Sequence, residues 1–272
     1  MMRLRLRNIM LAAISLSMIL SAGLLRSGAN TAPGPTTNAA TRTPVLIELF
    51  TSEGCSSCPP ADVLLAQLDR FQPVPTADLI VLSEHVDYWG DIGWKDPYSS
   101  HQFSLRQADY ARRFRLEGPY TPQMVVDGDT QLVGSDERKA LEVIGSAAKL
   151  IKIRVSLSAL HLQGTESLSV QVEVKPAVSA AKPLSGQVLL ALADDRDQSN
   201  VRRGENAGRT LKHVAVVRAL TQVGTVDSGG TFSKDVTVST AKANLQNLRV
   251  VAIVQEGAAG RVLGVGSTRL SN

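Results

Sequence analysis

Cys55 and Cys58 are the only two cysteines among 272 residues, and they stand where a thiol becomes reactive. The stretch from Val45 to Arg70 reads as a short apolar run, Val45 to Phe50, then Thr51, Ser52 and Gly54, then Cys-Ser-Ser-Cys, then Pro59, Pro60 and helical spacing from Ala61. A cysteine at the first turn of a helix sits among unpaired backbone N–H groups at the positive end of the helix dipole, and both favour thiolate over thiol. Cys55 is therefore the candidate nucleophile. Cys58, one turn along, is placed to close a disulfide and release what Cys55 has captured. Exchange of this kind requires the sulfur of Cys55 to be open to a partner, and the small Ser56 and Ser57 favour that.

Two plainer uses of the pair compete. A staple across so short a loop gains only about 2 kcal/mol in the chain-entropy picture, less than a long-span bridge. Half of a zinc site would need a second pair at ligand spacing, which the sequence lacks. Thiols with the imidazole of His85 would also suit Cu(I), so copper handling is a further reading.

The side chains that could serve the dithiol come from two later stretches. After Leu79–Leu82, a buried strand expected to run parallel to the first, the segment from Ser83 to Tyr98 concentrates His85, Tyr88, Trp89 and Trp94. Loops beyond the carboxyl ends of strands line the site in an open α/β sheet. His85 could shuttle protons or steady a thiolate, and Tyr88, Trp89 and Trp94 could wall a substrate groove. The alternative is a packed aromatic loop in which His85 bonds backbone. Further on, Thr121-Pro122 precedes the apolar strand Met124–Val126, where a cis bond would turn the backbone of Thr121 toward Cys55.

The elements that must hold these residues follow from periodicity. Helical spacing covers Ser99 to Arg115, and Asp127-Gly128 predicts a hairpin joining Met124–Val126 to Thr130–Val133. A last helix is expected over Asp136 to Lys149, capped by Ser135 or Asp136. The order is β-α-β-α-β-β-α. Past Leu150 the pattern changes to alternation, in Ile151, Ile153, Val155 and Leu157 and again in Leu168, Val170, Val172 and Val174. Further strands are expected at 187–193, 211–220, 231–238, 249–255 and 261–268, and seven short strands suggest a β-sandwich of about 120 residues.

Order, dithiol and Thr-Pro resemble the thioredoxin superfamily. The segments Glu48 to Asp62, His85-Val86-Asp87-Tyr88-Trp89, Gly93-Trp94-Lys95-Asp96-Pro97 and Arg203 to Leu211 resemble a secreted thioredoxin-like family, domain of unknown function 1223. The resemblance implies Cys55 as attacking thiol, Cys58 as resolving thiol, Pro122 as a cis proline beside them, and export. Gly54 before the pair and Ser-Ser within it depart from the superfamily's usual aromatic and Gly-Pro, so a redox potential is not inherited.

Arg3, Arg5 and Arg7 ahead of the apolar Ile9–Leu25 form a signal-peptide pattern over residues 1–29, with cleavage expected before Asn30 or near Gly23; an uncleaved anchor is the rival. The net charge of +4 lies in that segment, and the 25 Lys and Arg that remain equal the 25 Asp and Glu, so nothing points to nucleic acid as a partner. Residues 30–43, rich in Thr, Ala and Pro, read as a linker.

These readings converge on an exported, periplasmic or secreted protein with an α/β thioredoxin-like domain over 44–150 followed by an all-β sandwich domain over 151–272. Its expected chemistry is thiol–disulfide exchange with protein or small-molecule thiols and disulfides, without cofactor or resident metal and without stable membrane insertion after cleavage. A non-enzymatic binding or assembly module with a permanent disulfide is the alternative. The charged stretch 194–210 is expected either as a connector in solvent or as a loop laid over the dithiol, with Arg202, Arg203 or Arg209 raising the local positive potential or holding a carboxylate.

Overall fold

A computed structural model describes residues 42–91, 93–176, 185–227 and 229–270. The expected signal peptide and most of the expected linker lie outside these residues; Thr43 already opens the first strand. The first seven elements occur in the order the periodicity predicts: β1 (Thr43–Thr51), α1 (Pro59–Phe71), β2 (Ala77–His85), α2 (His101–Arg113), β3 (Gln123–Val126), β4 (Thr130–Val133) and α3 (Glu137–Ala147). Pro59 and Pro60 occupy the first positions of α1, where a missing N–H is not needed, and the Asp136 side chain caps α3 by accepting from the Lys139 amide. β1 and β2 are parallel, and β3 pairs antiparallel with both β1 and β4.

The second half departs from expectation. Seven strands form, β5 (Arg154–Gln163), β6 (Ser167–Lys175), β7 (Gln187–Asn200), β8 (Thr210–Thr225), β9 (Phe232–Ser239), β10 (Leu248–Gln255) and β11 (Val262–Arg269), but they do not make a sandwich of their own. Four of them extend the N-terminal sheet into one mixed eight-stranded sheet, ordered β11-β10-β7-β8-β2-β1-β3-β4. The other three form a separate sheet, β5-β6-β9. An α/β thioredoxin-like domain followed by an all-β sandwich is therefore not the architecture, because one sheet runs across residue 150.

The physical reason lies in two strands without alternation. Val188 to Ala193 of β7 and Val250 to Val254 of β10 are buried along every residue. Leu189, Ala191, Ala193, Val251 and Ile253 pack into the core shared with β1, β2 and α1. Val188, Leu190, Leu192, Val250 and Ala252 pack against β6 and β9 on the opposite face. Continuous apolar strands need cover on both sides, which neighbouring elements of the first half supply. Polar contacts fasten the same junction. Arg249 of β10 grips both carboxylate oxygens of Asp69 on α1 at 2.8 and 2.9 Å, and the Asp127 carbonyl at the β3–β4 turn accepts from the Val262 amide at 2.7 Å.

Candidate functional site

Cys55 and Cys58 are joined in a disulfide, Cα to Cα 5.4 Å, with Cys58 as the N-cap residue of α1. The turn that carries them is tied by backbone bonds from the Cys55 amide to the Ser52 carbonyl and from the Cys58 amide to the Cys55 carbonyl, each 3.2 Å. Gly54 has to be glycine: a Cβ there would lie 2.9 Å from Trp89 Cβ. Trp89 donates to Thr121 Oγ1 at 2.8 Å, and Thr121-Pro122 is cis. A Cβ on Gly134 would meet Leu49, Ala61 and Pro122 within 3.1 Å, so this glycine lets the proline close on the first turn of α1.

The pair is covered. Both cysteines are 0% exposed, which corrects the expectation of an accessible Cys55 sulfur. The cover is the tip of a long hairpin: β7 and β8 stay paired out to Asn200 and Thr210, and residues 201–209 fold over the disulfide turn. Asn206, itself buried, donates from Nδ2 to the carbonyls of Glu53 and Cys55, 2.9 Å each, while Glu205 accepts from the Ser56 amide at 3.0 Å. Arg209 holds the Asn206 side-chain oxygen at 2.8 Å.

Beneath the turn lies a sealed cluster of ionisable groups. The Glu53 amide and His85 Nδ1 both meet Asp96 Oδ2, at 2.8 and 2.7 Å. Glu53 Oε2 accepts from Trp94 Nε1 at 2.8 Å, and Glu53 Oε1 takes the Ser199 hydroxyl and lies 3.2 Å from His213 Nε2. The His213 and His85 rings meet edge-on, 4.7 Å apart, with Tyr98 against both. On the other side His213 Nδ1 stands 3.9 Å from Oδ2 of Asp62. Asp62 follows Cys58 by one helical turn, so both side chains share a face of α1.

Burial drives the Asp62 carboxyl above its ordinary range, and the nearby imidazoles offset this only in part. Burial works against a charged His85, but the charge and hydrogen bond of Asp96, with Asp62 and Glu53, outweigh it and raise its pKa. Burial likewise opposes the Asp96 carboxylate, and His85 with two backbone amides more than compensates, so its pKa falls. Both shifts favour the charged forms of His85 and Asp96. Asp62 Oδ1, His85 Nε2 and His213 Nδ1 have no hydrogen-bond partner among the described residues.

The family described as protein of unknown function (DUF1223) matches residues 46–255, from β1 to the end of β10. The chain belongs to the DUF1223 family. Two solved structures share the fold. An Agrobacterium tumefaciens protein is 24% identical with a TM-score of 0.62, covering 85% of this chain and 98% of its own. HBP35 of Porphyromonas gingivalis is 14% identical with a TM-score of 0.55, covering 84% of this chain and 76% of its own. No curated protein matches.

In this DUF1223 chain the residues singled out from sequence scatter in role. Cys55, Cys58, Thr121, Pro122 and Trp89 meet at the disulfide turn, and His85 and Trp94 belong to the cluster below it. Tyr88 lies at the edge of this group, its hydroxyl donating to Gln107 at 3.0 Å and standing beside the Thr121 side chain. Arg209 acts through Asn206, and Arg203 makes no hydrogen bond or ion pair among the described residues. Sequence reading passed over Glu53, Asp62, Asp96, Ser199, Asn206 and His213. Two of these left a signal: Asp62 interrupts the buried face Ala61, Leu64, Leu65, Leu68, and His213 falls on the inward side of β8 with Leu211, Ala215 and Val217. Among the described residues no three His, Cys, Asp or Glu side chains are placed to hold a metal ion, and no helix is long and apolar enough to cross a membrane.

Proposed function

We propose that this DUF1223 protein exchanges thiols and disulfides through Cys55 and Cys58 at a site that the 201–209 tip opens and closes. The observation that carries the reading is the pairing of a disulfide at the N-terminus of α1 with a buried, partly unpartnered carboxyl one turn below it. A staple needs no ionisable group beneath it, and burying one is costly. Perturbed carboxyls beside a redox-capable pair are what proton-coupled chemistry uses. In the closed state no partner reaches Cys55, so exchange proceeds from the fraction of molecules with the tip lifted. The tip is held to the cysteine turn by the Asn206 and Glu205 bonds, a modest barrier to opening. The basic and apolar opening of the chain supports export, into a compartment where such a disulfide persists. The test is insulin reduction or reactivation of a scrambled protein by wild type against Cys55→Ser. Equal activity in the two removes the reading.

The burial itself favours a second reading, a binding or assembly module whose disulfide never opens. That reading requires a reduction potential below about −300 mV, as for structural bridges. A potential well above it, measured against glutathione, selects the first reading.

A further inference from the structure

We propose that His213 supplies the proton that Asp62 passes to the sulfur of Cys58 when the disulfide opens; this rests on the exchange reading above. The reductant is a thiol, from a protein or a small molecule. Its thiolate attacks Cys55 Sγ, the Cys55–Cys58 bond breaks, and Cys58 Sγ leaves with the electron pair. A second thiolate then releases Cys55 from the mixed disulfide. The donor thiols end as a disulfide, and the protein gains two electrons and two protons.

The first leaving thiolate forms inside the protein, since Cys58 is wholly buried, and a buried anion needs a proton close by. Asp62 shares its helical face and carries one carboxyl oxygen without a partner. Having given up its proton, Asp62 is a buried carboxylate in turn. The nearest group placed to recharge it is His213, whose unpartnered Nδ1 stands 3.9 Å from Asp62 Oδ2, within reach of one intervening water or a small ring movement. The far nitrogen of the same ring contacts Glu53, which fixes the ring so that Nδ1 addresses Asp62. His85 is less suited, because its ion pair is with Asp96 and, unlike His213, it makes none with Asp62.

His213 also borders a groove of about 520 Å³ between α1 and the β7–β8 hairpin, lined with it by Ala66, Asp69, Arg70 and Lys212. Its ring is shut from solvent. Removing the ring would leave a space beside Asp62, and that makes the role testable by chemical rescue. The experiment follows reduction of the full-length protein by dithiothreitol for wild type, His213→Ala and His213→Gln, with and without added imidazole. His213→Ala is expected to lose about tenfold or more in rate, the scale of a positioned proton donor, and imidazole to restore part of the loss. His213→Gln, which preserves bulk, is expected to lose as much and, lacking the space, to stay unrescued. A full rate in His213→Gln, or a slow His213→Ala that imidazole does not move, overturns the role of His213 while leaving exchange through Cys55 standing. Should His213→Ala not fold, the rate of His213→Gln decides. A wild-type protein inert in the insulin assay overturns both.

Discussion

Two buried ionic clusters flank β1, and they solve the same problem in opposite ways. On the α2 side, Glu48 binds Arg106 Nε at 2.7 Å and the Tyr110 hydroxyl at 2.6 Å, and Arg106 also reaches Gln255 at 3.0 Å. Glu84 lies 3.6 Å from Arg106, and burial together with Glu48 drives its carboxyl well above the ordinary range, which favours the neutral form. The cation here never titrates. On the disulfide side, Glu53, Asp62 and Asp96 face two imidazoles and no guanidinium. One cluster is built around a guanidinium, the other around imidazoles.

If that contrast is right, the largest loss of stability comes from the guanidinium cluster. Arg106→Met leaves Glu48 buried without its cation, which typically costs about 3–5 kcal/mol. Urea unfolding should show that loss, with the thiol-exchange rate of the folded fraction unchanged. An exchange rate that falls with Arg106→Met would mean that the two clusters are not separate devices.

Asp96→Asn comes next. It leaves the buried His85 imidazole without its nearest carboxylate, although Asp62 and Glu53 supply part of the field, so about 2–3 kcal/mol is expected. The pH dependence sharpens the point. His85 has a raised pKa in the fold, so its contribution is complete below the imidazole range of the unfolded chain and is lost as pH rises through the folded value. Asp96 has a lowered pKa, so its contribution is present above the ordinary carboxylate range and disappears as pH falls through the folded value. Wild type should therefore show an alkaline fall in melting temperature that Asp96→Asn flattens. Parallel profiles for the two proteins would contradict a charged His85–Asp96 pair.

Most local structure was legible in the sequence because short-range rules decide it. The Asp127-Gly128 turn, the prolines opening α1 and the Asp136 cap need only their neighbours. What alternation concealed was the destination of the C-terminal strands. The alternation at Leu168, Val170, Val172 and Val174 correctly marks a strand with one buried face. The unbroken runs in β7 and β10 marked strands buried on both faces, and that distinction separates an independent sandwich from an extension of the first sheet. The site was half legible for a related reason. Cys55, Cys58 and Pro122 belong to local patterns. Asn206, in contrast, reaches the Cys55 carbonyl across 151 residues and His213 reaches Glu53 across 160, through a pairing no local pattern encodes.

The smallest effects belong to the cover, and they bear on whether the cluster below the disulfide is ever used. Asn206→Ala removes two donors to buried carbonyls, about 1–2 kcal/mol of closure, so reduction by a small phosphine should accelerate roughly tenfold if opening precedes attack. Glu205 is exposed and interacts with Ser56 alone, accepting from its amide at the positive end of α1. Glu205→Ala should accelerate reduction only a few-fold, and the difference from wild type should shrink as salt is raised, because an exposed charge at a helix terminus is screened. The neutral amide bonds of Asn206 carry no such salt sensitivity. The two variants thus report on the same opening by different physics. If both leave the rate untouched, the tip is not the barrier to Cys55, and the sealed pair is a permanent link over an idle cluster.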